Sequence, residues 1–264
     1  MKTKRIISSL LAGLLISSAS LSQATVVEVR TIMGDFQVNL FDEATPQTVE
    51  NFLEYVNSGA YANNVVHRSV PNFIVQMGGF TYNNDFQLDS VATGTPVNNE
   101  PVFSNRRGTL AMAKAAGNPN SATSQFFVNL TNNSSNLDVQ NGGFTVFGQV
   151  LGDGMSVVDS IAALPVFNFG GAFSEFPLRD YSDADESNSV VPDDTNIVII
   201  TDIVVIDDAV VTNPDLNPVR NTLINATPSQ PDAPSSSSSG GSFGIGFALL
   251  LAFVMATRRF ITRR

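Results

Sequence analysis

The chain has 264 residues, of which 24 are Asp or Glu, 14 are Lys or Arg, one is His and none is Cys. The lack of Cys excludes a disulfide framework, thiolate chemistry and Cys-ligated metals, and a single His excludes a His-rich metal site. Half of the basic residues lie in the two ends of the chain, so the middle is strongly acidic and should repel nucleic-acid phosphates. We therefore expect no Cys- or His-based metal site and no nucleic-acid partner.

The N-terminal end has the features of an export signal. Three basic residues lie within the first five positions, an apolar run covers 6–16, and the small-residue sequence Ser-Gln-Ala occupies 22–24. This order predicts a secretory signal peptide over 1–24 that is removed from the mature protein. The alternative, a buried first helix, fits the basic cluster and the short apolar run less well.

Two helices and a series of short strands are predicted after the signal peptide. Thr45-Pro46 has the residues of a helix start, and apolar residues recur at helical spacing until Ser58-Gly59. A second helix is predicted over 156–163, and the stretches 81–105 and 167–194 are predicted to be loops. Strands are predicted over 26–33, 36–40, 110–113, 125–130, 144–150, 196–207 and, as a short pair, on either side of Pro71-Asn72. This pattern favours a mainly β fold, a closed antiparallel barrel that leaves no sheet edge exposed.

The most informative stretch is residues 66–80, where polar side chains interrupt an apolar run. It holds the only His of the chain, His67, together with Arg68 and Gln76. Burying an unpaired guanidinium is costly, so Arg68 needs either a partner or a function. In a strand, Ile74 and Gln76 would share one face while the residues between them face the core.

Three motifs in this sequence occur in a recognisable order. They read His67-Arg68-x-x-Pro71-x-Phe73-x-x-Gln76-x-Gly78-Gly79, then Arg107 to Ala113 with Asn120 to Val128, then Gly143 to Val150. Together they resemble the signature of cyclophilin-type peptidyl-prolyl cis-trans isomerases, and the resemblance covers residues 26–207. It implies an eight-stranded closed β-barrel capped by two helices, prolyl isomerase activity (EC 5.2.1.8), no cofactor, and proline-containing peptides as partners.

The resemblance also assigns roles to individual residues. Arg68 is the expected catalytic residue, a donor aimed at the prolyl amide nitrogen, because rotation of an X–Pro bond needs neither a nucleophile nor a metal. The proline pocket is expected from Phe73, Ile74, Phe127 and Leu137, with Phe144 where the family often has His or Tyr. The other expected substrate-binding residues are Gln76, Ala113, Lys114, Gln125 and His67, the last of these mainly structural.

Two positions depart from the family pattern. Lys114 stands where asparagine is common, and because that position usually acts through its backbone, activity should survive. Asn136 stands where cyclosporin-sensitive members have tryptophan, so we expect weak inhibition by cyclosporin A. Arg106 and Arg107 are expected to brace surface loops rather than to bind substrate.

The C-terminal end has the features of a processing or anchoring signal. Residues 208–241 are rich in Pro and Ser and are predicted to be a disordered spacer that ends in Gly240-Gly241. The following segment, 242–264, contains an apolar run and four arginines, and it is predicted to be a membrane-anchoring or sorting tail. The run is shorter than the ~20 residues that a transmembrane helix needs. The tail resembles the Gly-Gly sorting signals that a rhomboid-type protease processes in Gram-negative bacteria, and a plain anchor is the alternative.

The sequence thus predicts an isomerase domain over 25–207, exported to the periplasm or cell surface and acting as a monomer on unfolded or folding proteins. No site residue lies beyond Asp207, so activity is expected from that domain alone. A non-catalytic proline-peptide binding or holdase module is the alternative, and a structural spacer is a third. Retention of Arg68 with the apolar pocket residues favours the enzyme, because a protein that only binds peptides could lack Arg68.

Overall fold

The structure is a computed structural model that describes residues 25–84, 86, 88–208, 213 and 215–225. Within them the chain forms four α-helices: α1 (Pro46–Asn57), α2 (Ser134–Leu137), α3 (Met155–Ala162) and α4 (Asp183–Ser187). Thirteen strands complete the fold: β1 (Val26–Thr31), β2 (Gly34–Leu40), β3 (Asn64–Val65), β4 (Arg68–Val70), β5 (Ile74–Met77), β6 (Phe80–Thr81), β7 (Asp89–Ser90), β8 (Thr109–Met112), β9 (Phe126–Asn129), β10 (Val146–Val150), β11 (Val166–Phe167), β12 (Phe176–Pro177) and β13 (Ile199–Asp207). The predicted strands and both predicted helices are confirmed to within a few residues at their ends.

Eleven of these strands form one antiparallel sheet in the order β4-β5-β9-β8-β10-β2-β1-β13-β3-β6-β7. This order confirms a mainly β fold built on a single antiparallel sheet. Only Val66 and His67 separate β3 from β4, which lie towards opposite ends of the order. Joining these two segments as one strand would give the predicted eight-stranded ring, whose closure stays a prediction.

The main core fills the space between the sheet and helices α1 and α3. Its largest buried side chains include Phe52 of α1, Tyr61, Phe126 of β9 and Phe147 of β10. Phe52 lies 5.3 Å from Phe126 and 5.1 Å from Phe147 between ring centroids, which are favourable aromatic distances. The predicted start of α1 at Pro46 is confirmed, but the Thr45 hydroxyl donates to the Phe41 carbonyl at 3.2 Å instead of capping the helix.

A second, aromatic cluster lies beside the sheet and is built from the stretch predicted to be an acidic loop, 167–194. There β11 pairs with β12, and Phe176 is fully buried among Phe169, Phe173 and Phe86. The prediction of a loop over 167–194 is therefore corrected; two-residue strands and irregularly spaced aromatic residues have no detectable period in the sequence.

Part of the predicted spacer lies against the domain. Ser104 N donates to the Val219 carbonyl at 2.8 Å, and Asn221 N donates to the Val102 carbonyl at 2.9 Å. The Asn221 amide also donates to the Asp138 carbonyl at 3.0 Å. The prediction of a disordered spacer is therefore corrected for residues 219–221, whose backbone bonds to a loop of the domain.

The predicted signal peptide and the predicted C-terminal tail lie outside the described residues. In the described part of the chain, no helix is both long and apolar enough to cross a membrane. The described residues likewise contain no group of three or more His, Cys, Asp or Glu side chains that could hold a metal ion.

Candidate active site

Adjacent strands place a row of functional side chains across the sheet. Arg68 of β4 pairs with Gln76 of β5, Gln76 pairs with Phe127 of β9, and Phe127 pairs with Ala111 of β8. Residues directly opposite each other on neighbouring strands point to the same face of a sheet. Arg68, Gln76 and Phe127 therefore share one face because of strand register, although Phe127 is distant in sequence from the other two.

The other face of the same strands points into the main core, as the alternation predicted. Ile74 and Phe127 belong to a separate apolar cluster at the site, whereas Val75, Met77 and Phe126 belong to the main core. The strands that carry the site are thus packed against the main core on their other face, which restricts the movement of the site's side chains.

Helix α2 and the loop that follows it form the opposite wall. Asp138 is buried at the start of this loop and accepts hydrogen bonds from Ser104 Oγ at 2.6 Å and from Asn105 N at 2.7 Å. The Asn105 amide also donates to the Phe144 carbonyl at 3.1 Å, and Phe144 N donates to the Leu137 carbonyl at 2.8 Å. These bonds position Leu137 and Phe144 over the sheet.

The Lys114 side chain stabilises this loop through hydrogen bonds to its backbone. Its ammonium donates to the carbonyls of Gly143 at 2.6 Å and Asn141 at 3.0 Å and lies 4.7 Å from the centroid of the Phe144 ring. Burial lowers the pKa of Lys114 to about 8. Lys114 was predicted to bind substrate; the residue is only 3% exposed and its ammonium bonds to the loop, so contact with substrate stays a prediction.

Between the two walls lies a cavity of about 310 Å³. Six of the predicted site residues line it, namely Arg68, Phe73, Ile74, Phe127, Leu137 and Phe144. The cavity is also lined by residues that were not predicted to bind substrate: Val70, Ala116, Gly117, Asn136, Gln140, Asn141 and Glu175. Its floor is apolar and aromatic, with Phe127 and Phe144 packed edge to face at 5.9 Å. A cavity of this kind suits a small apolar ring such as that of proline.

Arg68 brings positive charge to one side of this apolar cavity. Its side chain is 7% exposed, and its Nε donates to Glu175 Oε2 at 2.7 Å. Its Nη1 lies 3.4 Å from Gln76 Oε1, which is a long hydrogen bond. Nη2 makes no hydrogen bond to any residue in the described part of the chain, so this nitrogen remains available as a donor to a bound peptide.

Three further predicted residues, Gln76, Ala113 and Gln125, do not line the cavity. The Gln76 side-chain amide donates to Gln125 Oε1 at 2.9 Å, which links Gln76 of β5 to the residue directly before β9. Ala113 is buried in the apolar cluster, and its N–H donates to the Gln125 carbonyl at 2.9 Å. Gln76, Gln125 and Ala113 do not line the cavity itself, so the structure leaves their contact with substrate as a prediction.

His67, the residue directly before β4, is buried and does not line the cavity. It is 1% exposed, its ring packs edge to face against Phe80 at 5.0 Å, and its Nδ1 has no hydrogen-bond partner. Burial lowers the pKa of His67 to about 4, and the positive charge of Arg68 acts in the same direction. His67 is therefore neutral at pH 7 and structural, and no proton transfer is assigned to it.

The buried imidazole should make folding stability depend on pH. The pKa of His67 is lowered on folding from 6.5 to about 4, so stability is fully present above pH 6.5 and is lost as pH falls towards 4. Between pH 7.5 and pH 5 we expect His67 to account for a loss of about 2 kcal/mol in the free energy of unfolding. Urea unfolding of the protein and of His67→Gln at both pH values measures this; an equal loss in the variant would contradict it.

Comparison with known proteins identifies the family to which this site belongs. A sequence model of the family described as "Cyclophilin type peptidyl-prolyl cis-trans isomerase/CLD" matches residues 26–181, more than half of the chain. The chain belongs to the cyclophilin-type isomerases. It is therefore a peptidyl-prolyl cis-trans isomerase, as its motifs predicted.

Bacterial cyclophilins are among its relatives. The peptidyl-prolyl cis-trans isomerase of Acinetobacter baylyi is 42% identical over 163 residues, which cover 61% of this chain and 83% of that protein. Peptidyl-prolyl cis-trans isomerase B of Escherichia coli is 41% identical over 161 residues, 59% of this chain and 94% of that protein. Among solved structures, a cyclophilin-type isomerase of Cryptosporidium parvum is similar with a TM-score of 0.50 and 24% identity, covering 70% of this chain and 99% of that one. This last likeness supports the fold alone.

Asn136 gives this cyclophilin a testable difference from cyclosporin-sensitive members. It lines the cavity, and it offers neither an indole N–H nor the apolar surface of tryptophan. We expect cyclosporin A to inhibit isomerisation by the unaltered protein weakly. We expect a lower inhibition constant for Asn136→Trp than for the unaltered protein. Titration of activity with the inhibitor measures both, and nanomolar inhibition of the unaltered protein would show that Asn136 does not occupy the tryptophan position.

Proposed function

We propose that this cyclophilin rotates X–Pro bonds in exported proteins and thereby assists their folding. The observation that carries the catalytic part is Arg68 at the apolar cavity, with Nε and Nη1 facing protein acceptors and Nη2 without one among the described residues. The export part is supported by the sequence of residues 1–24. The bacterial relatives support the isomerase activity but do not bear on export.

The proposed chemistry follows from the electronic structure of the amide. Rotation breaks amide resonance over a barrier of ~18–20 kcal/mol and takes tens to hundreds of seconds without a catalyst. Turnover at ~1–10³ per second requires roughly 3–7 kcal/mol of transition-state stabilisation. As the bond twists, the lone pair localises on the prolyl nitrogen, which becomes a hydrogen-bond acceptor in the transition state alone.

Arg68 suits this task because its guanidinium is always charged and presents several donors from one rigid plane. A charge-assisted hydrogen bond contributes ~1.5–3 kcal/mol, and more where water is excluded. In our proposal Phe73, Phe127 and Leu137 hold the proline ring, so that the amide nitrogen lies within reach of Nη2. Binding of the ring alone would stabilise ground and transition states equally, so the rate gain depends on Arg68.

A refolding experiment separates this proposal from the holdase alternative. The substrate is an unfolded exported protein whose slow refolding phase is set by X–Pro isomerisation, and residues 25–225 of this chain are added at catalytic amounts. We expect acceleration of the slow phase by the unaltered protein and none by Arg68→Ala. Suppression of aggregation without acceleration, and to the same extent by both proteins, would favour the holdase.

The C-terminal end is proposed to be a processing and anchoring signal. The order of polyserine, Gly240-Gly241, a short apolar run and terminal arginines supports this, because Gly and Ser allow the backbone to unwind for cleavage. The short run would hold the chain in a membrane only weakly, and the arginines would orient it with the enzyme outside. We therefore expect the mature protein, isolated from its native host, to have lost the segment beyond Gly241. An intact mass that still includes Arg264 would contradict cleavage and leave the plain anchor.

A further inference from the structure

Glu175 is the only carboxylate that contacts Arg68 in the described part of the chain, and no motif of the family resemblance includes it. It lies 107 residues away in sequence and belongs to the stretch predicted to be an acidic loop. The contact involves the backbone as well as the side chain, because Ser69 N donates to the Glu175 carbonyl at 2.8 Å. Strand β4 is therefore tied at two adjacent residues, Arg68 through its side chain and Ser69 through its backbone.

Glu175 is held in place by the aromatic cluster on both sides of it in sequence. Phe173 packs against Phe80 at 4.7 Å, and Phe176 packs against Phe173 at 5.6 Å. Phe176 is fully buried, so the residue before it has little freedom to move away from β4. The carboxylate also lines the cavity, which puts it beside any peptide bound there.

This contact determines which nitrogens of the guanidinium are free. Glu175 occupies Nε, Gln76 lies beside Nη1, and Nη2 has no acceptor among the described residues. An arginine side chain without such partners samples many rotamers, and ordering it costs free energy at the moment of reaction. We propose that Glu175 is a positioning residue that orders Arg68 before substrate binds, so that Nη2 is directed at the prolyl nitrogen. This inference rests on the proposed catalytic role of Arg68.

A carboxylate beside a catalytic cation has a second, opposing effect. Its negative charge weakens the attraction between the guanidinium and the developing lone pair, so its removal could raise activity instead. Ordering is expected to prevail, because Glu175 is 30% exposed and water screens its charge. A hydrogen bond at 2.7 Å, in contrast, fixes orientation whatever the screening.

The test compares Glu175→Leu, which removes the acceptor, with Glu175→Gln, which keeps an acceptor oxygen and removes the charge. We expect Glu175→Leu to lower kcat about 3–10-fold while the dissociation constant of a proline peptide changes less than about twofold. Glu175→Gln should retain most of the activity. The Arg68 Nε–H resonance in ¹⁵N NMR spectra should be sharp and protected from exchange in the unaltered protein, and broadened in Glu175→Leu.

A double-mutant cycle distinguishes positioning of Arg68 from a general structural role of the loop. In the Arg68→Ala background, Glu175→Leu should cause no further loss, because the residue that it orders is already absent. The same fold-loss in both backgrounds would overturn the proposal, as would unchanged or increased kcat in Glu175→Leu. If Arg68→Ala itself keeps normal activity, the proposed catalytic mechanism fails, whereas a loss in Arg68→Ala with no effect of Glu175→Leu refutes the positioning role alone.

Discussion

Replacement of Arg68 by alanine is expected to reduce kcat/KM at least ~100-fold, equivalent to about 2.7 kcal/mol of lost transition-state stabilisation. The side chain supplies the donor at the cavity and contributes little to the apolar core, so the fold should remain. Its partner Glu175 is 30% exposed and can be hydrated once the guanidinium is gone. A protease-coupled assay of a proline peptide measures the loss, and thermal unfolding shows whether the variant is folded.

Two further variants make this result specific. Arg68→Lys keeps the charge but loses the planar fork, so it should remain well below the unaltered protein. Arg106→Ala is the matched control, because Arg106 donates to Ser104 Oγ at 3.1 Å and does not line the cavity. Near-normal turnover in folded Arg68→Ala, or an equal loss in Arg106→Ala, would show that the donor is elsewhere.

The part of the site that could be predicted from sequence is the part encoded by alternation along single strands. A period of two residues within contiguous motifs predicts which side chains share a face. It places Ile74 and Gln76 on one face of β5, and it places Phe127 and Phe126 on opposite faces of β9. Strand pairing then brings the two motifs together. Alternation alone does not show that the two strands share a site; the family resemblance implied it, and the pairing of Gln76 with Phe127 shows it.

The partner of Arg68 could not be predicted in this way. Glu175 lies in a segment whose fold depends on a few irregularly spaced phenylalanines, and such contacts are set by the three-dimensional path of the chain. The sequence did give one signal, since a nearly buried arginine requires an acceptor. With 24 acidic residues available, this requirement could not select the one that meets it.

The burial of Lys114 and the docking of residues 219–221 were missed for a related reason. In both cases the decisive partners are backbone carbonyls and amides, which carry no sequence signature. A lysine predicted to bind substrate, or a Pro-rich stretch predicted to be a spacer, becomes ordered when backbone groups that need a partner lie nearby. Asn221 shows this directly, because its backbone and side chain bond to Val102 and Asp138.

Replacement of Gly78 by alanine is expected to destabilise the fold strongly and to disturb the site. Gly78 has φ +86°, and a Cβ at this position would lie 2.5 Å from the Ser124 carbonyl oxygen. That oxygen cannot retreat freely, because it accepts a hydrogen bond from the buried Tyr61 hydroxyl at 2.7 Å. The positive φ costs ~1–2 kcal/mol and the overpacking ~1–3 kcal/mol, so we expect a loss of about 2–5 kcal/mol in the free energy of unfolding.

Gly59→Ala separates the steric cost from the backbone cost. Gly59 has φ +71° at the end of α1, but no atom lies within 4 Å of its added Cβ. Urea unfolding should therefore show a loss of only about 1–2 kcal/mol for Gly59→Ala, with activity unchanged. Gly78→Ala should also lower activity, because the displaced backbone at Ser124 leads directly into Gln125, whose side chain bonds to Gln76. Equal destabilisation by the two substitutions would mean that the close approach to Ser124 is relieved at little cost, and that the glycine of the motif is required for its positive φ alone.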